Sequence, residues 1–494
     1  MKKFISFLPV LAAFSGLFAQ PGMPDDYLSA EFHKERRAAL RAKMPENTVA
    51  VFFANAERNR ANDVDYVYHQ DPDFYYLTGY KEPNAVLVIF SENQNGKHGE
   101  HFNEILYVQK KDARMEQWTG KRLGIEGAKS QLGFETALNG EEFLKNGINF
   151  TSFDAVLFDT FHDDYRNSKR NDADLYDLIQ AFKSQIAYTE TSVSGVANAD
   201  KDLNSGQGQL KEKTVKTDTR TLNKLMAGLR EIKMPDEMVL LTKAVRISAM
   251  GQREVMKAMH VGMSEAEIQG VHEYVYKKYG SEYEGYPSIV GAGNNGCVLH
   301  YIENSKTKVE NDLVLMDLGA EYHGYTADVT RTIPANGKFS PEQKLIYDLV
   351  YNAQEAGIAQ VVAGNTLKSP DMAARAVINE GLIALGIAKD EQEARKYFPH
   401  GTSHHIGLDV HDTSLRGPLQ ANMVITVEPG IYIPEGSDCD KKWWGIAVRI
   451  EDDILVTDQG PVCLSAEAPR TSEAIEALMT EHSPFEQFEV PNLD

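Results

Sequence analysis

Asp317 and Asp328 flank the dipeptide His323-Gly324, which makes a good hairpin turn. Pairing the two arms symmetrically about that centre sets Asp317 opposite Thr330. Strand side chains alternate with period two, so Asp328 falls on the same face as Asp317, one diagonal step away. Asp317 also closes the apolar run Leu313-Val-Leu-Met316, which reads as a buried strand. A single strand aspartate is ordinarily solvated and means little. Two held side by side at the end of a buried strand are costly unless protonated or neutralised by cations.

Four of the 14 histidines fall in His400-Gly-Thr-Ser-His404-His405-Ile-Gly-Leu-Asp-Val-His411-Asp412. Imidazole is the commonest metal ligand and exchanges protons near neutral pH. A solvated cluster would not explain the glycines and the apolar Ile406, Leu408 and Val410 interleaved there. Glu428 follows the apolar-alternating run Met423 to Val427 and precedes Pro429-Gly430. In Val448-Arg449-Ile450-Glu451 the strand period points Arg449 and Glu451 to one side, and an arginine beside a carboxylate is the usual support of a ligand. As a surface ion pair the same two residues would contribute little. Asp317, Asp328, Glu428 and Glu451 together carry a charge that two divalent cations neutralise. Oxygen donors with one imidazole favour manganese, cobalt or zinc, and a paired site can hold a hydroxide as nucleophile at neutral pH.

The elements that must position these groups can be read along the chain. Its 494 residues are too many for one core, and 42% hydrophobic with 25% charged residues is a globular composition. The net charge of -21 argues against a nucleic-acid surface, which needs clustered cations. Lys2 and Lys3 followed by the apolar run Phe4–Phe18 read as a signal peptide over residues 1–19, too short to remain as a stable membrane span. The mature chain is therefore expected to be exported, to the periplasm or beyond. Three cysteines make no disulfide framework, although Cys439 and Cys463 could pair.

Residues 27–190 read as an N-terminal α/β domain, with a helix over Ala30–Met44 and strands at Val49–Phe53, Ala85–Phe90 and Glu104–Val108. Residues 191–225, rich in Ser, Gly, Asn, Asp and Lys, read as a linker or insertion. A second domain over 226–475 is expected to hold helices at Asp236–Met259, Ser264–Tyr279, Pro341–Ala363 and Pro370–Leu385. Strands are expected at Pro287–Val290, Cys297–Tyr301, Leu313–Leu318 and Thr326–Ile333. Ser264 and Glu267 form a capping box by their spacing. Residues 476–494 read as an acidic tail.

Several of these motifs resemble the metallopeptidases with the pita-bread fold and, among them, the aminopeptidase P (Xaa-Pro aminopeptidase) family. The segments are His400–Asp412, Ser288–His300, Asp317-Leu-Gly319, Ala327–Thr332, Val427–Gly430 and Arg449–Asp452. Asp71-Pro-Asp-Phe-Tyr-Tyr-Leu-Thr-Gly-Tyr through Val88 resembles the family's N-terminal domain. The resemblance covers roughly residues 28–470, and Ser192–Thr221 and the signal peptide depart from it. It implies an α+β chain in which an N-terminal α/β domain precedes a pita-bread catalytic domain.

The resemblance also implies roles. Asp317, Asp328, His404, Glu428 and Glu451 would hold two divalent metal ions, manganese first, with zinc or cobalt as alternatives. Asp328 and Glu451 would bridge them, Asp317 would bind one, and His404 and Glu428 the other. Glu428 would handle the proton of a bridging hydroxide, and His300 and His411 would contact the substrate carbonyl or the tetrahedral intermediate. His400, Tyr432 and Arg449 would line or support the pocket for proline. The implied substrates are peptides with proline at position two, and the implied assembly a homo-oligomer. An Xaa-Pro dipeptidase (prolidase) shares the five ligands, and a pita-bread module without catalysis is a further alternative.

Overall fold

The computed structural model describes residues 24–485, apart from 97–98, 146, 163, 169–171 and 190–214. The expected signal peptide, most of the expected linker and the tail from residue 486 lie outside the described residues.

The N-terminal domain is built on a six-stranded sheet in the order Ala137–Asn139, His101–Val108, Val86–Asn95, Thr48–Phe53, Ala155–Leu157, Thr217–Asp218. The three central strands pair antiparallel and the outer strands join them parallel. Thr48–Phe53 shows no polar alternation because both faces of the sheet are covered. Val49 and Val51 pack with Phe143, Phe150 and Phe182 on one side. Ala50 and Phe52 belong to the larger core on the other, which continues through the helices Ala30–Lys43 and Pro72–Thr78 into the second domain. Asp71 caps Pro72–Thr78 by accepting the Phe74 N–H at 2.8 Å, and Gly79 ends it at a φ of 67°.

The last part of the segment expected to be a linker is ordered instead. Thr217–Asp218 adds a strand to the sheet, and the helix Thr221–Arg230 follows, N-terminally held by Asp218. Polar composition hid a two-residue edge strand, which needs backbone partners rather than apolar side chains.

In the second domain, the helices Pro235–Ala258 and Glu265–Lys278 pack together, as do Pro341–Ile358 and Lys368–Ala384. They cover short antiparallel sheets. Pro235–Ala258 lies on Ala320–Tyr322 and Tyr325–Thr326, and Pro341–Ile358 lies on Ile446–Arg449. The Ser264–Glu267 capping box is formed. Asp317 pairs with Thr330, and Tyr322 pairs with Tyr325 across the turn, as the spacing requires. His323 and Gly324 both have positive φ, 51° and 89°, the geometry of the hairpin turn expected there.

Two strand expectations fail. Cys297–Tyr301 is not a strand: Gly293–Cys297 winds into a 3-10 turn against Gly291, where a side chain would meet the backbone of Gly296 at 2.7 Å. Thr326–Ile333 is interrupted between Tyr325–Thr326 and Thr330–Pro334. There the Asp328 N–H leaves the ladder and donates to Asp453 Oδ2 at 3.1 Å. The three cysteines are free, so Cys439 and Cys463 do not pair. No helix among the described residues is long and apolar enough to cross a membrane.

Candidate metal centre

The two aspartates meet through a residue that the sequence did not single out. The Tyr286 hydroxyl lies 2.6 Å from both Asp317 Oδ1 and Asp328 Oδ1, bridging the carboxylates across the broken ladder. Nothing in its neighbours Gly285 and Pro287 marks it as functional. Arg449 Nη2 donates to Asp317 Oδ2 at 2.6 Å. Burial pushes the Asp317 carboxyl up, but Arg449 and Tyr286 outweigh it and hold the group below its usual range. Among the described residues no arginine or lysine pairs with Asp328. Burial, then Asp317 and Asp453 beside it, raise it well above the ordinary carboxylate range.

Glu428 and Glu451 approach from neighbouring strand ends. Glu428 follows Val424–Val427 and fixes its backbone by donating its N–H to Thr402 O at 2.9 Å. Glu451 lies between Ile446–Arg449 and Asp452–Thr457, where Arg331 donates to its carbonyl at 2.6 Å and to the Asp452 carboxylate at 2.7 Å. Thr330 donates its hydroxyl to Glu451 Oε2 at 2.6 Å, while Oε1 is buried with no hydrogen-bond partner. Burial, and then Asp328 and Glu428, raise Glu451 well above its usual value, and burial pushes Glu428 up to about 7.

The histidine segment runs beside Val424–Val427. His405 forms a bridge with Ile425, and the Thr426 N–H donates to His404 O at 2.9 Å. His404 Nδ1 donates to His405 O at 3.1 Å, which turns Nε2 toward the acids. That nitrogen lies 3.4 Å from Asp328 Oδ2 and 3.7 Å from Glu428 Oε1. His411 stands edge-on to His404, ring centres 4.4 Å apart, and burial followed by His404 lowers its pKa. Arg449 Nη1 donates to the Tyr432 hydroxyl at 2.9 Å, which donates to His400 Nε2 at 2.7 Å. His400 is thereby held neutral, its pKa lowered to about 4 by burial and then Arg449.

Nine of the ten residues singled out in the sequence line one cavity of about 290 Å³: His300, Asp317, Asp328, His400, His404, His411, Glu428, Arg449 and Glu451. The tenth, Tyr432, stands behind it, bonded to His400 and Arg449. Asp328, His404 and Glu451 each bring a donor atom within 4.8 Å of the others. Three buried acids and the partly buried Glu428, with one adjacent arginine, an imidazole nitrogen facing them and an orphaned carboxylate oxygen, fit divalent cations. They do not fit a site left without them, since burying like charges together is unfavourable.

Fold and site therefore define a metal-dependent hydrolase. The model of metallopeptidase family M24 matches residues 239–458, and that of the aminopeptidase P N-terminal domain matches residues 33–148. The Xaa-Pro aminopeptidase of Escherichia coli K12 is 34% identical over 465 residues, covering 92% of this chain and 98% of that protein. The solved structure of E. coli aminopeptidase P with the inhibitor Pro-Leu superposes with a TM-score of 0.78 at 31% identity, covering 92% and 98% of the two chains. A zinc-substituted form of the E. coli enzyme in complex with product superposes at 0.76 with 32% identity over the same shares. The chain belongs to metallopeptidase family M24 and, within it, to the aminopeptidase P group, and its second domain has the pita-bread fold.

Proposed function

We propose that this metal-dependent N-terminal exopeptidase removes the first residue of peptides whose second residue is proline. The observation that carries the reading is the convergence of four acids and one imidazole on a single cavity, in a chain that also carries the aminopeptidase P N-terminal domain. That domain favours an aminopeptidase over a dipeptidase. The complete set of acids, with Glu451 Oε1 unpartnered, disfavours a module without catalysis.

In this reading Asp317, Asp328, His404, Glu428 and Glu451 would hold two divalent ions. Manganese is proposed as the native metal because the donors are mainly hard oxygens. Zinc is the alternative, given the zinc-substituted relative, and cobalt a further one. When bound, the pair supplies Lewis acidity that polarises the scissile carbonyl and makes water nucleophilic at neutral pH. Glu428 lines the cavity and would be the group to take and return a proton there. His300 and His411 line the cavity where they can donate to the carbonyl oxygen as it gains charge. His400, fixed by Tyr432, lines the same cavity and would bound the pocket for proline. Arg449 keeps Asp317 ionised and oriented.

Export after removal of residues 1–19 and a homo-oligomeric assembly complete the proposal, with the boundary between the two domains moved from the expected 190 to beyond Thr217–Asp218, which belongs to the N-terminal sheet. Its test is product analysis on Xaa-Pro dipeptides and on longer Xaa-Pro peptides. Release of the first residue from the longer peptides is expected. Cleavage of dipeptides alone would make the enzyme a prolidase.

A further inference from the structure

A buried ionic cluster lies behind the histidine segment and joins it to the N-terminal domain. Arg230 ends the helix Thr221–Arg230. Its Nη1 donates to Asp73 Oδ1 at 2.7 Å, on the helix Pro72–Thr78 of the N-terminal domain, and its Nη2 donates to Asp412 Oδ1. Lys233 Nζ donates to Asp412 Oδ2 at 2.9 Å and to the Arg230 carbonyl at 2.6 Å. The Lys233 and Asp412 side chains are each 1% exposed and that of Arg230 is 7% exposed. Two cations thus face the buried Asp412 and, at the rim, Asp73, whose side chain is 27% exposed, and losing a partner of Asp412 leaves a buried charge uncompensated.

The cluster grips the segment next to a residue of the site. Asp412 follows His411, and its backbone N–H donates to His405 O at 2.9 Å, closing the histidine loop on itself. The loop is pressed against the cluster at Gly407, where a side chain would come within 2.2 Å of Asp412 Oδ2 and 2.9 Å of Lys233 Nζ. Neighbouring bonds work in the same direction. Glu231 Oε2 accepts the Leu415 N–H at 2.8 Å, the Lys233 N–H donates to Asn422 O at 2.9 Å, and the Tyr76 hydroxyl donates to Leu229 O at 3.2 Å. Between residues 406 and 423 the chain forms no helix or strand, so its rigidity must come from such contacts.

We propose that Arg230 is a positioning residue that couples the docking of the N-terminal domain to the orientation of His411. A guanidinium can hold two carboxylates at once in a fixed geometry, which a lysine ammonium on a flexible stem cannot. The proposal rests on the reading that His411 faces the substrate.

The informative variant is Asp73→Asn, which removes the charge of the cross-domain arm and leaves Asp412 both of its cations. On a longer Xaa-Pro peptide its kcat is expected to fall about tenfold, with KM and bound metal within about twofold of wild type. In a His411→Ala background the same change is expected to cost less than about twofold, because the group it acts through is gone. Arg230→Lys, which keeps the charge and loses the fork, is expected to behave like Asp73→Asn. Equal losses in both backgrounds, or no loss in either, would overturn the proposal. A fully active His411→Ala enzyme would instead overturn the assignment of His411. Amide exchange separates the two cases, since the Asp412 amide should exchange at least about tenfold faster in Asp73→Asn than in wild type, with or without metal. Unchanged exchange overturns the coupling whatever the activity.

Discussion

Asp317 sits on a hairpin whose ladder and turn fix it from within, with Asp328 in the interruption of the facing arm, whereas His404 and His411 sit on a segment that borrows its shape from elsewhere. The hairpin is anchored by Leu313–Met316, each 3% exposed or less, and burying such a side chain contributes about 1.5–3 kcal/mol. The histidine segment has instead one bridge to Ile425, backbone bonds to Thr426 and Glu428, and the ionic cluster around Asp412. Charge is placed where packing is strongest. The groups that must meet a substrate lie where outside contacts can adjust them.

The largest effect should come from removing a ligand from either region. Asp328→Asn and His404→Ala are each expected to lower kcat/KM more than about a thousandfold, roughly 4 kcal/mol of barrier, with the circular-dichroism spectrum retained. If the two differ by several decades, the regions do not serve one centre. Next, His300→Ala or His411→Ala should reduce kcat about a hundredfold while bound metal changes little, as for loss of one oxyanion donor. An intact rate in either variant would remove that histidine from the chemistry.

Chelation should then separate the regions by pH. In the metal-free protein burial raises the Glu428 carboxyl to about 7, against an ordinary value of 4.5. At this group the folded chain therefore binds more protons than the unfolded chain in that window, and its contribution to stability falls as pH rises. Asp328 and Glu451, both raised well above their usual values, act in the same direction. The buried His33, His272, His400 and His405, lowered to about 3 or 4, work the opposite way in this window, so the acids are read from the gain in melting temperature when metal is added to chelated protein. That gain should be larger at pH 7.5 than at pH 5.5, because the cations compete with the acids' protons. A gain that does not grow across this window would contradict the buried-acid description.

The smallest effect concerns the turn. Gly324→Ala places a side chain at a φ of 89°, about 3.1 Å from Tyr75, and should cost about 1–2 kcal/mol in denaturant unfolding with the metal site intact. Loss of metal in that variant would mean that the turn, and not the ladder, sets the aspartates.

The hairpin was legible because its information is local. A turn dipeptide and a period of two place Asp317 opposite Thr330 without knowledge of any other segment, and the structure has that register. The histidine segment was legible only as chemistry. Its residue types pointed to a site, but nothing periodic places His404 3.4 Å from Asp328. Tyr286 and Arg230 were missed for the same reason, since each acts through partners far away in sequence and sits in no pattern of its own. The interruption at Ala327–Val329 escaped because Asp453, 125 positions on, takes the Asp328 N–H from the ladder. In the N-terminal domain the long strands were readable from β-branched runs. The two-residue strand Thr217–Asp218 was not, being held by backbone pairing alone.

The claim that the five residues form one metal pair is tested most directly by anomalous diffraction from crystals of manganese-loaded protein. Two peaks are expected in the cavity, both in contact with Asp328 and Glu451, with Asp317 on one and His404 and Glu428 on the other. Absence of any peak between these side chains, or a lone ion bound away from Asp328 and Glu451, would contradict it.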